Sequence, residues 1–229
     1  GTDYIDLYQL HWPDRPLNVF SGLEYSHKET DDIVPILETL SCLNDFVKEG
    51  KIRTIGLSNE TAWGTFQFIK TAEMKHLEKI VSVQNPYNLL NRSYEVGISE
   101  ISIREKVGLL AYSPLASGTL SGKYLDGKLP DGTRLKLFGD RYPRYRTPNS
   151  EPAIKEYIKI ANKYNLDVCQ MAIKFCEIQP FVTSVIIGAT KIDQLKKNLQ
   201  SHEIKLDDKI IQDINNIQHE IGMPGLPPY

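Results

Sequence analysis

A chain of 229 residues with 41% hydrophobic and 24% charged side chains has the make-up of a folded globular domain, which excludes a disordered or fibrous polymer. Its 27 basic and 29 acidic residues leave a formal net charge of −2, so no positive field draws it to nucleic acid or to an anionic membrane. Cys42, Cys169 and Cys176 fit neither a zinc-ligand spacing nor an even disulfide framework, no run reaches the roughly 20 apolar residues of a membrane span, and no secretory leader is read. A reducing cytoplasmic location is expected.

In chain order, Tyr4 to Leu10 is β-prone and is stopped by Pro13 after His11 and Trp12. A polar loop follows. Ile33, Ile36, Leu37, Leu40, Leu43 and Val47 recur at helical spacing, with Gly50 as the C-terminal stop. Ile52 to Leu57 predicts a strand, and Ser58 or Asn59 is expected to cap a helix reaching His76. Ile80 to Val83 predicts a third strand ending at Gln84, and a helix over 93–105 leads into the apolar strand Val107 to Tyr112. Residues 113–150 read as one long loop, and loops of that length in compact domains are usually functional. A helix over 151–164, a second one with Asp167 and Gln170 as a capping box, a strand over 184–187, and closing helices over 192–201 and 207–217 complete the order.

Repeated strand and helix alternation predicts right-handed parallel units, hence a doubly wound sheet or a barrel. In either, the loops after the strands carry the chemistry. Five such ends are read: His11, Ser58-Asn59, Gln84-Asn85, Tyr112-Ser113-Pro114 and Gly188-Ala189-Thr190. All carry polar, aromatic or glycine residues. No G-x-G-x-x-G fingerprint is present, which argues against a Rossmann domain.

The segments Asp6-Leu-Tyr-Gln-Leu-His11-Trp-Pro, Gly50-Lys-Ile-Arg-Thr-Ile-Gly-Leu-Ser-Asn59, Gln84-Asn-Pro-Tyr-Asn88, Leu110-Ala-Tyr-Ser-Pro-Leu115, Gly118-Thr-Leu-Ser-Gly-Lys123 and Ile187-Gly-Ala-Thr190 through Asn198 resemble the aldo-keto reductase family. Leu89 to Ser93, Gly118 to Tyr124 and Gln179-Pro-Phe181 are most similar to its Tas-like NADP(H)-dependent bacterial branch. The resemblance implies one domain over 1–229, an α/β (β/α)8 TIM barrel of the aldo-keto reductase type of which about the last five β/α units are present. It implies an oxidoreductase that reduces aldehydes or ketones with hydride from NADPH, uses no metal, and employs a tetrad of Asp, Tyr, Lys and His.

His11 matches the tetrad histidine. The other three members lie on earlier strands in the family and are expected upstream; Asp3, Tyr4, Asp6 and Tyr8 share the strand of His11 and are not their counterparts. Similarity assigns Ser58, Asn59 and Gln84 to the nicotinamide carboxamide and Tyr112 to stacking on the nicotinamide ring. Ser113, Pro114, Leu115, Ser117, Lys123 and Arg134 are assigned to the pyrophosphate. Gly188, Thr190, Lys191, Gln194 and Asn198 are assigned to the adenosine 2′-phosphate and adenine, where a helix N-terminus also favours an anion.

The resemblance leaves the carbonyl substrate unnamed. A shortened and catalytically idle relative, binding dinucleotide or protein, is the alternative. Five strands of a barrel would leave two open edges, so self-association through them is expected. The basic and aromatic run from Arg141 to Arg146 reads as a solvated lid segment and not as a nucleic-acid interface.

Overall fold

The computed structural model describes residues 1–17, 25–139 and 144–223. Its five strands are β1 (Ile5–Leu10), β2 (Ile52–Ser58), β3 (Ile80–Pro86), β4 (Gly108–Tyr112) and β5 (Val182–Ile186). They form one sheet in the order β1-β2-β3-β4-β5, with β1 parallel to β2 and β2 parallel to β3. The helices are α1 (Ile36–Lys48), α2 (Ala62–Lys75), α3 (Ile98–Glu105), α4 (Arg134–Phe138), α5 (Ser150–Lys163), α6 (Val168–Glu177), α7 (Ile192–Leu199) and α8 (Asp208–Ile221). At least one helix separates each consecutive pair of strands. A sheet whose spatial order follows the chain has no switch point, so the winding is of the barrel kind and not the doubly wound kind. The parallel α/β architecture expected from the sequence is therefore observed.

The described chain divides into two compact units. The first takes residues 1–17, 25–85 and 94–110. There α1 packs on β2 and α2, and α2 packs on α3. Leu40, Ile55, Leu57, Phe68, Ile69, Ile80 and Val83 are buried, and burying side chains of this size contributes about 1.5–3 kcal/mol each. The second takes residues 86–93, 111–139 and 144–223. There α5 packs on α6 and α8, while α6 also meets β5 and α7. Its core centres on Tyr87, which stacks on Phe175 at 6.2 Å and meets Phe181 edge-on at 5.3 Å.

Several boundaries differ from the sequence reading, each for a local reason. Helix α1 starts at Ile36 because Pro35 is extended (φ −58, ψ 141) and disfavours helical backbone at Val34; Ile33 and Val34 are exposed. The α2 cap is Thr61, whose hydroxyl accepts the Gly64 N–H; Ser58 still belongs to β2, and Asn59 is left-handed at φ 55, which an N-cap cannot be. The helix expected over 93–105 breaks at Gly97 (φ 93) into a short turn, Ser93–Glu95, and α3. Residues 113–150 hold 3-10 turns at Ala116–Ser121 and Leu125–Gly127 besides α4, so they are not one open loop. Asp167 does cap α6, accepting from Cys169 and Gln170 N–H, but the Gln170 side chain donates to the Lys197 carbonyl and closes no reciprocal box. Strands β3 and β5 run to Pro86 and from Val182, beyond the limits expected.

The β2–β3 ladder shifts register between Ile55 and Gly56: Ile55 faces Ile80, Gly56 faces Ser82, and Val81 between them is exposed. That is a bulge of one residue. Gly56 is required at this point, since a Cβ there would stand 2.7 Å from the Ser82 hydroxyl and 3.1 Å from Gln9 and Leu7.

Candidate functional site

In the first unit the polar residues lie where β1, β2 and β3 end. Ser58 closes β2 opposite Gln84, and its hydroxyl donates to the Gln84 carbonyl at 2.9 Å. Asn59 then turns left-handed, and its side-chain amide donates to the His11 carbonyl at 2.9 Å and to the Ser58 hydroxyl at 3.2 Å. These bonds fix the backbone of His11 while its imidazole stays exposed, 5.4 Å from the Trp12 ring and without a hydrogen-bond partner among the described residues. The Gln84 side-chain amide is half-buried and equally unpartnered among the described residues, so it offers both donors and its acceptor.

Beneath this turn lies a feature that sequence reasoning missed. Glu60 is buried, and both of its oxygens accept from Arg15, at 2.9 and 2.6 Å. Arg15 also donates to the Thr61 hydroxyl and covers the Trp63 ring at 4.9 Å. Glu60 N–H and carbonyl are further tied to the Asn85 side chain at 3.1 and 2.8 Å. Arg15 and Glu60 are 45 residues apart, and nothing local in the sequence pairs them. The ion pair borders an apolar cleft of 490 Å³ between Trp12, Trp63, Ile33 and Phe68.

In the second unit the chain leaves β4 at Tyr112 and is left-handed at Ser113 (φ 57), Ala116 (φ 49), Ser117 (φ 59) and Gly118 (φ 91). The left-handed residues close two tight turns, in which Ala116 N–H donates to the Ser113 carbonyl and Gly118 N–H to the Leu115 carbonyl, each at 2.8 Å. The Lys123 ammonium folds back to this turn: a Cβ on Gly118 would lie 2.9 Å from it. Lys123 rests on the Tyr124 ring at 5.0 Å and has no ion pair among the described residues. Pro114 is buried, Leu115 and Ser117 are half-buried, and Arg134 is exposed at the first position of α4.

Asn88 holds this turn from below. It is fully buried; its amide N–H groups donate to the Ser113 carbonyl at 2.9 Å and to the Tyr145 hydroxyl at 3.2 Å, and its oxygen accepts from Leu90 and Asn91 N–H. Tyr112 is half-buried. Burial pushes the Tyr112 hydroxyl above its ordinary pKa, and the Arg144 guanidinium works against that rise. Of the run Arg141 to Arg146, residues 141–143 lie outside the described residues, whereas Tyr145 is buried and Arg144 half-buried.

At the start of α7, Gly188, Thr190, Lys191 and Gln194 are exposed, and no side chain caps the helix. The Gln194 oxygen accepts from the Thr190 N–H and hydroxyl, at 3.1 and 3.2 Å, which closes the turn before α7. Asn198 is buried one turn on, with its amide 3.5 Å from the Gly188 carbonyl. Cys169 has its thiol pushed up to about 11 by burial and then by the Asp167 carboxylate, so it is a protonated, unreactive thiol at neutral pH. No helix among the described residues is long and apolar enough to cross a membrane.

Parallel βα units wound in chain order, with polar side chains at the strand ends, place the protein among α/β-barrel proteins. The aldo/keto reductase family profile matches residues 1–219, so the chain belongs to the aldo/keto reductase family. It is 47% identical over 224 residues to Protein tas of Escherichia coli (strain K12), a match covering 98% of this chain and 64% of that protein. It is 38% identical over 231 residues to an aldo-keto reductase of Babesia bovis, covering 95% and 81% of the two chains. L-glyceraldehyde 3-phosphate reductase of Escherichia coli (strain K12) is 29% identical over 206 residues, covering 88% and 54%. The chain thus spans a little under two thirds of the length of Protein tas.

Proposed function

We propose that this chain forms the dinucleotide-holding part of an NADPH-dependent carbonyl reductase acting on aldehydes or ketones. The observation that carries the reading is Lys123: an ammonium with no ion pair among the described residues, set against a left-handed turn. A free ammonium fits a pyrophosphate, with Ser113, Pro114, Leu115 and Ser117 assigned to the same group and Arg134 as a second cation. Gly188, Thr190, Lys191, Gln194 and Asn198 are assigned to the adenine and its 2′-phosphate. Ser58, Asn59 and Gln84 are assigned to the carboxamide, for which the Gln84 amide, unpartnered among the described residues, is suited, and Tyr112 to the ring.

When bound, the dinucleotide supplies a hydride. His11 then has the role of donating an imidazole N–H to the substrate carbonyl oxygen, orienting it and stabilising the charge that grows there. No residue of this chain is assigned the proton-donating role. Calorimetric titration of the chain with NADPH tests the reading: binding is expected, and Lys123→Met is expected to weaken it about tenfold, the effect of one charge-assisted contact. Absence of NADPH binding, or a Lys123→Met chain that binds as well as the parent, would refute it.

A second reading, a protein-interaction module that pairs with a copy of itself through its sheet edge, is favoured by one observation in the first unit. Ile5 and Tyr8 of β1 and Phe46 of α1 are exposed around an apolar groove of 530 Å³. Light scattering across a concentration series decides it, a dimer supporting this reading and a monomer at all concentrations ending it.

A further inference from the structure

The residues from His11 to Arg15 form an arch whose two ends are fastened to three consecutive residues of the turn after β2. At one end the His11 carbonyl accepts from the Asn59 side-chain amide at 2.9 Å. At the other the Arg15 guanidinium donates to both Glu60 oxygens, at 2.9 and 2.6 Å, and to the Thr61 hydroxyl at 3.0 Å. Between them Pro13 has a ring-locked backbone, and the Asp14 carboxylate accepts the Val34 N–H at 2.8 Å. The receiving carboxylate is itself held in place. Its Oε2 also accepts the Thr61 N–H at 2.7 Å, the Asn85 side chain bonds the Glu60 N–H and carbonyl, and Glu60 lies so close over Gly64 that a Cβ there would collide with its carboxylate. With side chains 17% and 2% exposed, Arg15 and Glu60 are shielded from competing water. The His11 imidazole stands at the other fastened end, and the ring of the next residue, Trp12, lies 5.4 Å from it.

We propose that Arg15 is a positioning residue: its two-point grip on Glu60 closes the arch and thereby sets the direction in which the His11 imidazole presents its N–H. This rests on the carbonyl-orienting role given to His11 above. A group that must meet a carbonyl oxygen tolerates little error, a misplacement of about 1 Å costing up to about a hundredfold in rate. The bond to the His11 carbonyl alone would leave the arch free to pivot about that point. A second fastening four residues on removes this freedom before a substrate arrives, so less is lost on binding. The planar fork matters as much as the charge. A guanidinium meets both carboxylate oxygens in parallel and so fixes a direction, whereas an ammonium neutralises Glu60 as a point charge and leaves the arch able to swivel.

The test is nuclear magnetic resonance on the full 229-residue chain, reading cross-peaks between the His11 and Trp12 rings, with His76 at the far end of α2 as a control in the same unit. Because Arg15→Ala strands a buried carboxylate, Arg15→Lys and Gly64→Ala carry the test. Arg15→Lys keeps Glu60 paired, so it is expected to retain a cooperative urea transition while the His11–Trp12 cross-peaks fall about twofold or more. Gly64→Ala alters neither charge but pushes the Glu60 carboxylate off its seat, and is expected to give the same loss. His76 signals stay at their parent positions in both variants. Cross-peaks of parental intensity in either variant overturn the proposal. So does a parallel change at His76, the mark of general loosening and not of a released arch. Calorimetric titration of the parent chain with NADPH separates this result from the reading of function: failure to bind removes the purpose given to His11, whereas unchanged ring signals end the positioning role alone.

Discussion

The turns that leave β2 and β4 solve one steric problem with different chemistry. Each passes directly into a left-handed residue, Asn59 (φ 55) and Ser113 (φ 57), and each must be held there against its intrinsic preference. After β2 the anchor is ionic: the buried Glu60 carboxylate gripped by Arg15 at both oxygens, with Asn85 bonding the Glu60 backbone. After β4 it is neutral, with Asn88 spanning the Ser113 carbonyl and the Tyr145 hydroxyl. On the function proposed above, a turn whose Lys123 has no ion pair among the described residues and is assigned to an anion would be spoiled by a carboxylate beneath it, whereas a turn assigned to a neutral amide tolerates an internally neutralised pair.

The largest effect is expected at Arg15. Arg15→Ala leaves the Glu60 carboxylate buried and unpaired, which costs about 3 kcal/mol or more of stability in urea unfolding. Asn88→Ala removes the donors to the Ser113 carbonyl and the Tyr145 hydroxyl and leaves the buried Leu90 N–H without its acceptor, but strands no charge, so about 2 kcal/mol is expected. A larger loss at Asn88 than at Arg15 would break the contrast between ionic and neutral anchors.

Glycine at the two left-handed positions sharpens it further. Asn59→Gly removes the bonds to His11 and Ser58 along with the backbone strain and is expected to destabilise by about 1 kcal/mol. Ser113→Gly removes strain and no side-chain hydrogen bond, so it is expected to stabilise by up to about 1 kcal/mol in the same unfolding measurement. Destabilisation by Ser113→Gly would mean that the turn after β4 depends on its hydroxyl.

The mildest probe is alkaline pH. Tyr112 and Tyr145 have pKa values raised by burial, and in the first unit Tyr94 is pushed up to about 12 by burial. A hydroxyl that stays protonated in the fold but ionises in the unfolded chain lends stability that is present below pH 10 and lost as pH rises towards the folded value. Hydrogen exchange between pH 9 and 11 is expected to show amides 113–118 opening before amides 58–61, whose anchor contains no tyrosine. Simultaneous opening would show that the two turns are not independently held.

What the sequence made legible was periodic or local. The strand and helix order and the polar strand ends followed from apolar spacing and from Gly and Pro punctuation, which left a barrel and a doubly wound sheet both open; the barrel was implied by the resemblance to the aldo-keto reductase family. Boundaries failed where a conformation outweighed a propensity. Asn59 has a capping side chain but a left-handed backbone, so Thr61 caps α2 instead; Gly97 cuts a helix whose apolar pattern runs straight through it. The supports of the candidate site were invisible for another reason. Arg15 with Glu60, and Asn88 with Tyr145, pair across 45 and 57 residues, and one sequence carries no signal for such partners.

Val81 gives β3 a reserve of length. Had the ladder run on unbroken, with Val81 opposite Gly56, Ser58 would stand across from Val83, and the serine and glutamine at the two strand tips would be out of step by one place. Because the surplus is absorbed at a solvent-facing position, a one-residue deletion at Val81 would straighten the ladder yet keep Gly56 facing Ser82 and Ser58 facing Gln84. A deletion anywhere from Ser82 to Gln84 has no such slack, and would turn the strand tip over.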